Sequence, residues 1–252
     1  MSATKAKMSE ADLCRDFLTL ATKEKDWIAY PETAGFDILL RRKADDVQIG
    51  IEAKLTLNAR VLCQILPSRS AWSAASPGPD YRAVLVPSDK VGELEPICHA
   101  LGVTVIRFRP AEGSYYGPSF YPALPRETQF VGVGTEDWHE WVPAKRCPLP
   151  GYVPDVSAGM SAPVSLTSWK VQAIKLAIIL EERPITRKDF KDYRVSPTRW
   201  TDPQTGWLLR TADGYVARPG AMPNFKRQHP RNYEEIRADR AEWPESNPNG
   251  VR

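Results

Sequence analysis

Two alternating segments flanking a charged loop, Gly35-Phe36-Asp37-Ile38-Leu39-Leu40 and Ile49-Gly50-Ile51-Glu52-Ala53-Lys54-Leu55, limit the folds open to this chain more than any other feature. Successive side chains of a strand point to opposite faces, so a period of two in both segments calls for paired strands and not a helix. With residues 43–46 as a four-residue loop, Phe36 faces Ala53, Ile38 faces Ile51 and Leu40 faces Ile49, which makes one face wholly apolar. The other face then carries Asp37 directly opposite Glu52, with Lys54 two residues further along.

Carboxylates on facing strands have Cβ atoms roughly 5 Å apart, a repulsive arrangement unless positive charge sits between them. A divalent cation meets that need. Mg²⁺ or Mn²⁺ suits the pair, because these ions bind through a few carboxylate oxygens, retained waters and a substrate phosphate. Lys54 would then position the attacking water or stabilise charge developing on phosphorus. The simpler alternative is that both acids lie on the solvated side of a half-exposed hairpin. The short D…ExK string alone does not decide between the two.

The neighbouring segments alternate helix and strand. Ser9 reads as an N-cap with Asp12 three residues on, opening a helix that carries Leu13, Phe17 and Leu20 on one face. Strands are expected at 27–30, 36–42 and 47–55, then a helix from the cap Asn58 to about Pro67. After the loop Ser76-Pro77-Gly78-Pro79 come a strand at 81–86, a helix near 90–101 and a strand at 103–108. Residues 1–109 are thus an α/β domain with a mixed sheet flanked by helices.

In this order of elements, Asp37 and Glu52-Ala53-Lys54 resemble the Asp and Glu-x-Lys of the PD-(D/E)XK, or restriction-endonuclease-like, nuclease superfamily, over about residues 9–109. Phe36 replaces the proline that usually precedes the Asp. The resemblance implies a metal-dependent endonuclease with Asp37, Glu52 and Lys54 as catalytic residues and Mg²⁺ or Mn²⁺ held by the two acids. It also implies that an acid on the first helix, here Glu10, supplements the metal site. Read from its own position, Glu10 shares a face with Leu13 and Phe17, or is simply a first-turn acid favourable to the helix dipole. Arg60 and Gln64, one turn apart on the next helix, either reach a substrate phosphate or form a solvated face.

Residues 110–163 hold nine prolines and many aromatic side chains, and read as a connector or irregular appendage. Helical spacing resumes at Ser168, a candidate N-cap, with Val171, Ile174, Ile178 and Ile179. Thr186 caps a second helix over 187–193, Ser196-Pro197 opens a third, and Asp213-Gly214 turns a hairpin. Residues 164–225 resemble a winged helix, a small α+β domain. By that resemblance Ser196, Thr198 and Arg199 would enter a major groove, and Arg210 and Arg218 would lie on the wing beside phosphates. Residues 226–252 read as an extended polar tail.

Charge supports DNA as the partner of the C-terminal part, since residues 1–163 hold 18 Lys and Arg against 20 Asp and Glu, and residues 164–252 hold 16 against 11. No apolar run is long enough to span a bilayer and no secretory signal opens the chain, so a membrane protein is excluded and the cytoplasm is expected. Four cysteines without a CxxC and three scattered histidines argue against structural zinc. Two rivals remain: a catalytically inactive nuclease-fold protein that binds DNA or assembles, and an interaction scaffold that uses the aromatic connector. A homodimer stays open.

Overall fold

The computed structural model describes residues 8–23, 25–67, 76–111, 115–126, 137–159 and 166–243. The chain divides into two compact units, residues 1–149 with 156–163, and residues 150–155 with 164–252. Among the described residues no helix is long and apolar enough to cross a membrane.

The first unit opens with α1 (Glu10–Ala21), closed at its start by the expected capping box: Ser9 accepts from the Asp12 N–H, and the Asp12 carboxylate accepts from the Ser9 N–H. A meander follows of β1 (Trp27–Thr33), β2 (Phe36–Arg42) and β3 (Gln48–Ala53). The expected β2–β3 register is present at Ile38↔Ile51, Leu40↔Ile49 and Arg41↔Gln48. Next come α2 (Ala59–Ile65), capped by Asn58, then β4 (Tyr81–Pro87), α3 (Glu95–Ala100) and β5 (Thr104–Arg109). Both β3–β4 and β4–β5 pair in parallel, as helical crossovers allow, giving a mixed sheet.

Leu13, Cys14, Phe17 and Ala21 of α1 pack on the face made by Ile38, Leu40, Ile49, Ile51, Ala53, Ala83, Leu85, Ile106 and Phe108. The opposite face is not solvated, which corrects the simple half-exposed picture. Every residue of β3 is buried, because α2 covers β3 and β4 and brings Val61, Leu62 and Ile65 inside. Phe36 also departs from expectation. Its ring lies over Gly50, where a Cβ would come within 2.6 Å of it, on the face opposite Ala53. The Arg82 guanidinium, on the strand beside Gly50, sits 5.6 Å from that ring.

Residues 90–101 form a 3-10 turn at Gly92–Leu94 and only then α3, since Gly92 takes a left-handed φ of +63° and Pro96 favours a helix start. The Pro-rich stretch is more than a connector. Its β6 (Ser119–Tyr121) pairs antiparallel with β5 as the sixth strand, and Leu124, Trp138 and Ala158 enter the core. The Arg146 guanidinium donates to Asp80, and Gln48 exchanges hydrogen bonds with the Cys147 backbone. Proline spacing hides such contacts because they join positions up to 99 residues apart.

The second unit is built on α4 (Ser168–Leu180), capped by Thr167 and not Ser168, and apolar on most sides as befits a buried helix. Then come α5 (Arg187–Asp192) with a Thr186–Asp189 capping box, the single turn α6 (Thr198–Thr201), and the hairpin β7 (Leu208–Thr211) and β8 (Gly214–Ala217). Ser196 is not a cap; Pro197 holds that place without a side-chain hydrogen bond. The expected extended tail is instead helical as far as it is described. Residues α7 (Phe225–Gln228) and α8 (Pro230–Ala238) bury Phe225, Tyr233 and Ile236, and Trp243 follows them into the core. The Tyr233 hydroxyl donates to Glu181 at 2.8 Å, tying α8 to the end of α4.

Candidate active site

The candidate site forms where β2 and β3 part. The β2–β3 ladder ends at Ile38↔Ile51, and beyond it β3 follows β4, with Ala53 beside Leu85 and the Lys54 N–H donating to the Leu85 carbonyl at 2.9 Å. The Ala53 N–H, left without a β2 carbonyl, is satisfied by the Asp37 carboxylate at 2.8 Å. The notch thus places Asp37, Glu52 and Lys54 together.

Lys54 Nζ donates to Glu10 Oε2 at 3.0 Å and lies 3.8 Å from Asp37 Oδ2. Burial alone would lower the lysine pKa, but the hydrogen bond to Glu10 and the charges of Asp37, Glu10 and Glu52 outweigh it and raise the net value. Glu52 is 5% exposed, and no hydrogen bond reaches its carboxylate from the described residues. Burial, and then the neighbouring Asp37 charge, push it up to about 7 despite Lys54. The Cys14 thiol lies buried beneath, held well above its ordinary range by burial and by the charges of Asp37, Glu32 and Glu10, which makes it a poor nucleophile.

Glu32 joins this electrostatic group without having been singled out from the sequence. The β1–β2 register sets position 32 against 37, yet the ladder skips that pair, and Glu32 takes a left-handed φ of +49°. A strand carried past Tyr30 to the turn at Gly35 was the available signal.

Among the described residues no group of three or more His, Cys, Asp or Glu side chains is arranged to hold a metal ion. Glu10 accepts from Lys54 through Oε2, and with Asp37 and Glu52 it does not form such a group. Asp37 and Glu52 are the carboxylates that could hold a hard divalent cation. One or two carboxylates with retained water suffice for Mg²⁺, and Glu52, which accepts no hydrogen bond from the described residues, has its oxygens free to ligate. Arg60 and Gln64 are exposed on α2 and make no hydrogen bond to these acids.

In the second unit Ser196, Thr198, Arg199 and Arg210 are exposed, and the Arg199 guanidinium rests 5.8 Å from the Trp207 ring centre. Arg218 is different. Its guanidinium donates to the carbonyls of Gln204 and Pro203, both at 2.9 Å, and braces the loop before β7 where a phosphate contact was expected. The chain matches no family model, no curated protein and no solved structure. Its chemistry is therefore read from its own residues.

Proposed function

We propose that the chain is a metal-dependent phosphodiester hydrolase of nucleic acid, with DNA as its substrate, in keeping with its resemblance to PD-(D/E)XK nucleases. One observation carries this reading: among the described residues Glu52 is buried and accepts no hydrogen bond, beside a second carboxylate and a lysine. A carboxylate in so buried a place, next to a second one, favours the arrival of a cation or a proton.

Asp37 and Glu52 would hold Mg²⁺ or Mn²⁺, which when bound supplies a Lewis acid for the phosphate and acidifies a coordinated water. Asp37 has a second task, since by accepting from the Ala53 N–H it fixes the strand end that carries Glu52 and Lys54. The Lys54 ammonium stabilises negative charge growing on the phosphate oxygens, and its partial burial keeps water from screening it. Exposed Ser196, Thr198, Arg199 and Arg210 would contact DNA in a winged-helix-like manner. The turn bearing Thr198 and Arg199 has four residues, so it is about 6 Å long, and Ser196 precedes it.

An inactive nuclease-fold protein that binds DNA or assembles is the second reading. It is favoured by the Lys54 ammonium, which already offsets Asp37 and Glu10 and lessens the demand for a metal. Incubating plasmid and linear DNA with Mg²⁺ or Mn²⁺ separates the two. Wild type should cut and Asp37→Asn should not, with circular dichroism unchanged. Equal cutting by both would place the site elsewhere, and no cutting by wild type favours the inactive fold.

A further inference from the structure

We infer that Glu10 is a positioning residue that holds the Lys54 ammonium over Asp37, and not a ligand of the metal. The inference rests on the hydrolase reading for its kinetic consequence, and on geometry for the contact itself. Of the two carboxylates within 4 Å of the ammonium, Glu10 is the nearer, at 3.0 Å against 3.8 Å for Asp37. A lysine has four rotatable bonds and three donors, and one loose contact to Asp37 would leave its charge poorly placed. The hydrogen bond to Glu10 limits that freedom.

The helix start that carries Glu10 is itself immobilised. The Ser9–Asp12 capping box closes the first turn, and Leu13 and Cys14 anchor it in the core. Gly159, at a φ of +73°, lies against the same turn so closely that a Cβ there would be 3.1 Å from the Glu10 carbonyl and 3.0 Å from Cys14 Sγ. The backbone of Glu10 is thus gripped from both sides, which a solvated first-turn acid would not require. Its side chain is about one-third exposed, and the hydrogen bond it accepts comes from Lys54. That bond occupies Oε2 and turns the Glu10 carboxylate towards the ammonium.

The test compares Glu10→Gln, Glu10→Asp, Lys54→Ala and the Glu10→Gln/Lys54→Ala pair in the full chain, with a plasmid substrate and Mn²⁺. If Glu10 acts through Lys54, Glu10→Gln lowers kcat about tenfold, leaves KM and calorimetric Mn²⁺ affinity within twofold, and costs nothing further in the Lys54→Ala background. Glu10→Asp should recover part of the loss. A tenfold drop in Mn²⁺ affinity on Glu10→Gln would make Glu10 a ligand and overturn the inference, as would losses that multiply in the double variant. A second readout needs no cleavage. The Lys54 ammonium should give a ¹H–¹⁵N correlation in wild type, because hydrogen bonding slows its exchange with water, and lose it in Glu10→Ala, which leaves no acceptor there. A wild type that cuts no DNA but shows this loss would remove the hydrolase reading and leave the contact standing. A correlation that persists in Glu10→Ala would remove the contact.

Discussion

At pH 8 Glu52 is ionised in a place that disfavours its charge, and this has a measurable sign. Its folded-state pKa of about 7 lies above the ordinary 4.5, so the fold prefers the protonated form. The associated stability is fully present below about pH 4.5 and is lost as pH rises through 7. A rise of this size corresponds to about 3 kcal/mol at the upper end of that window. Without metal, the melting temperature of wild type should therefore fall between pH 5 and pH 8, while Glu52→Gln, which keeps the shape and cannot ionise, falls less and is the more stable of the two at pH 8. Mg²⁺ should flatten the wild-type decline and leave Glu52→Gln unchanged. Parallel pH profiles for the two proteins would mean that Glu52 is not a strained acid.

At the scale of elements, the divergence of β2 and β3 makes the notch, and the Phe36 ring against Gly50 secures the strand start that leads into it. A methyl at position 50 would meet the ring at 2.6 Å, and the ring is backed by Arg82, which leaves little room to yield. Gly50→Ala should cost about 1–3 kcal/mol, the range for overpacking a filled interior. The urea midpoint should fall with its slope unchanged. In a Phe36→Leu background the cost of the same substitution should shrink, because the clashing atoms are gone. A neutral Gly50→Ala would place the ring elsewhere.

For the whole molecule, the chain does not pass once from the first unit to the second. Residues 150–155 belong to the second unit and 156–163 return to the first. Asp155 shows why the short excursion matters to the second unit. Its carboxylate accepts from the Arg231 N–H at 2.9 Å and the Asn232 N–H at 3.2 Å in the first turn of α8, and pairs with Nδ1 of the fully buried His229 at 2.9 Å. Asp155→Ala would orphan two helix N–H groups and one ring nitrogen at once, a loss of about 3 kcal/mol. Native-state hydrogen exchange should show it as faster exchange along α8, with the β3 and β4 amides unaffected. Unchanged α8 protection would make the contact incidental.

Much of the sheet and the candidate site was legible in the sequence because both depend on local rules. Alternation along 36–42 and 48–53 fixes the facing of side chains, a four-residue loop sets the register, and Ser9, Asn58 and Thr186 mark helix starts by their capping chemistry. The register brings Asp37 and Glu52 close, but the expected direct pairing of the two is absent, since the ladder ends at Ile38↔Ile51 and Asp37 accepts from the Ala53 N–H. What the sequence could not carry is every relation that depends on a third element. Whether Glu52 is solvated or buried is decided by α2 covering β3, and Glu10 is drawn to Lys54 by the seating of α1 on the sheet. The place of the Phe36 ring depends on the absent side chain of Gly50. Arg218 looked like a free wing cation, yet the loop carbonyls at 203 and 204 claim it. Local patterns report which way a side chain points; the tertiary structure alone decides what it meets, because burial, charge and hydrogen bonding depend on distances that sequence spacing does not encode.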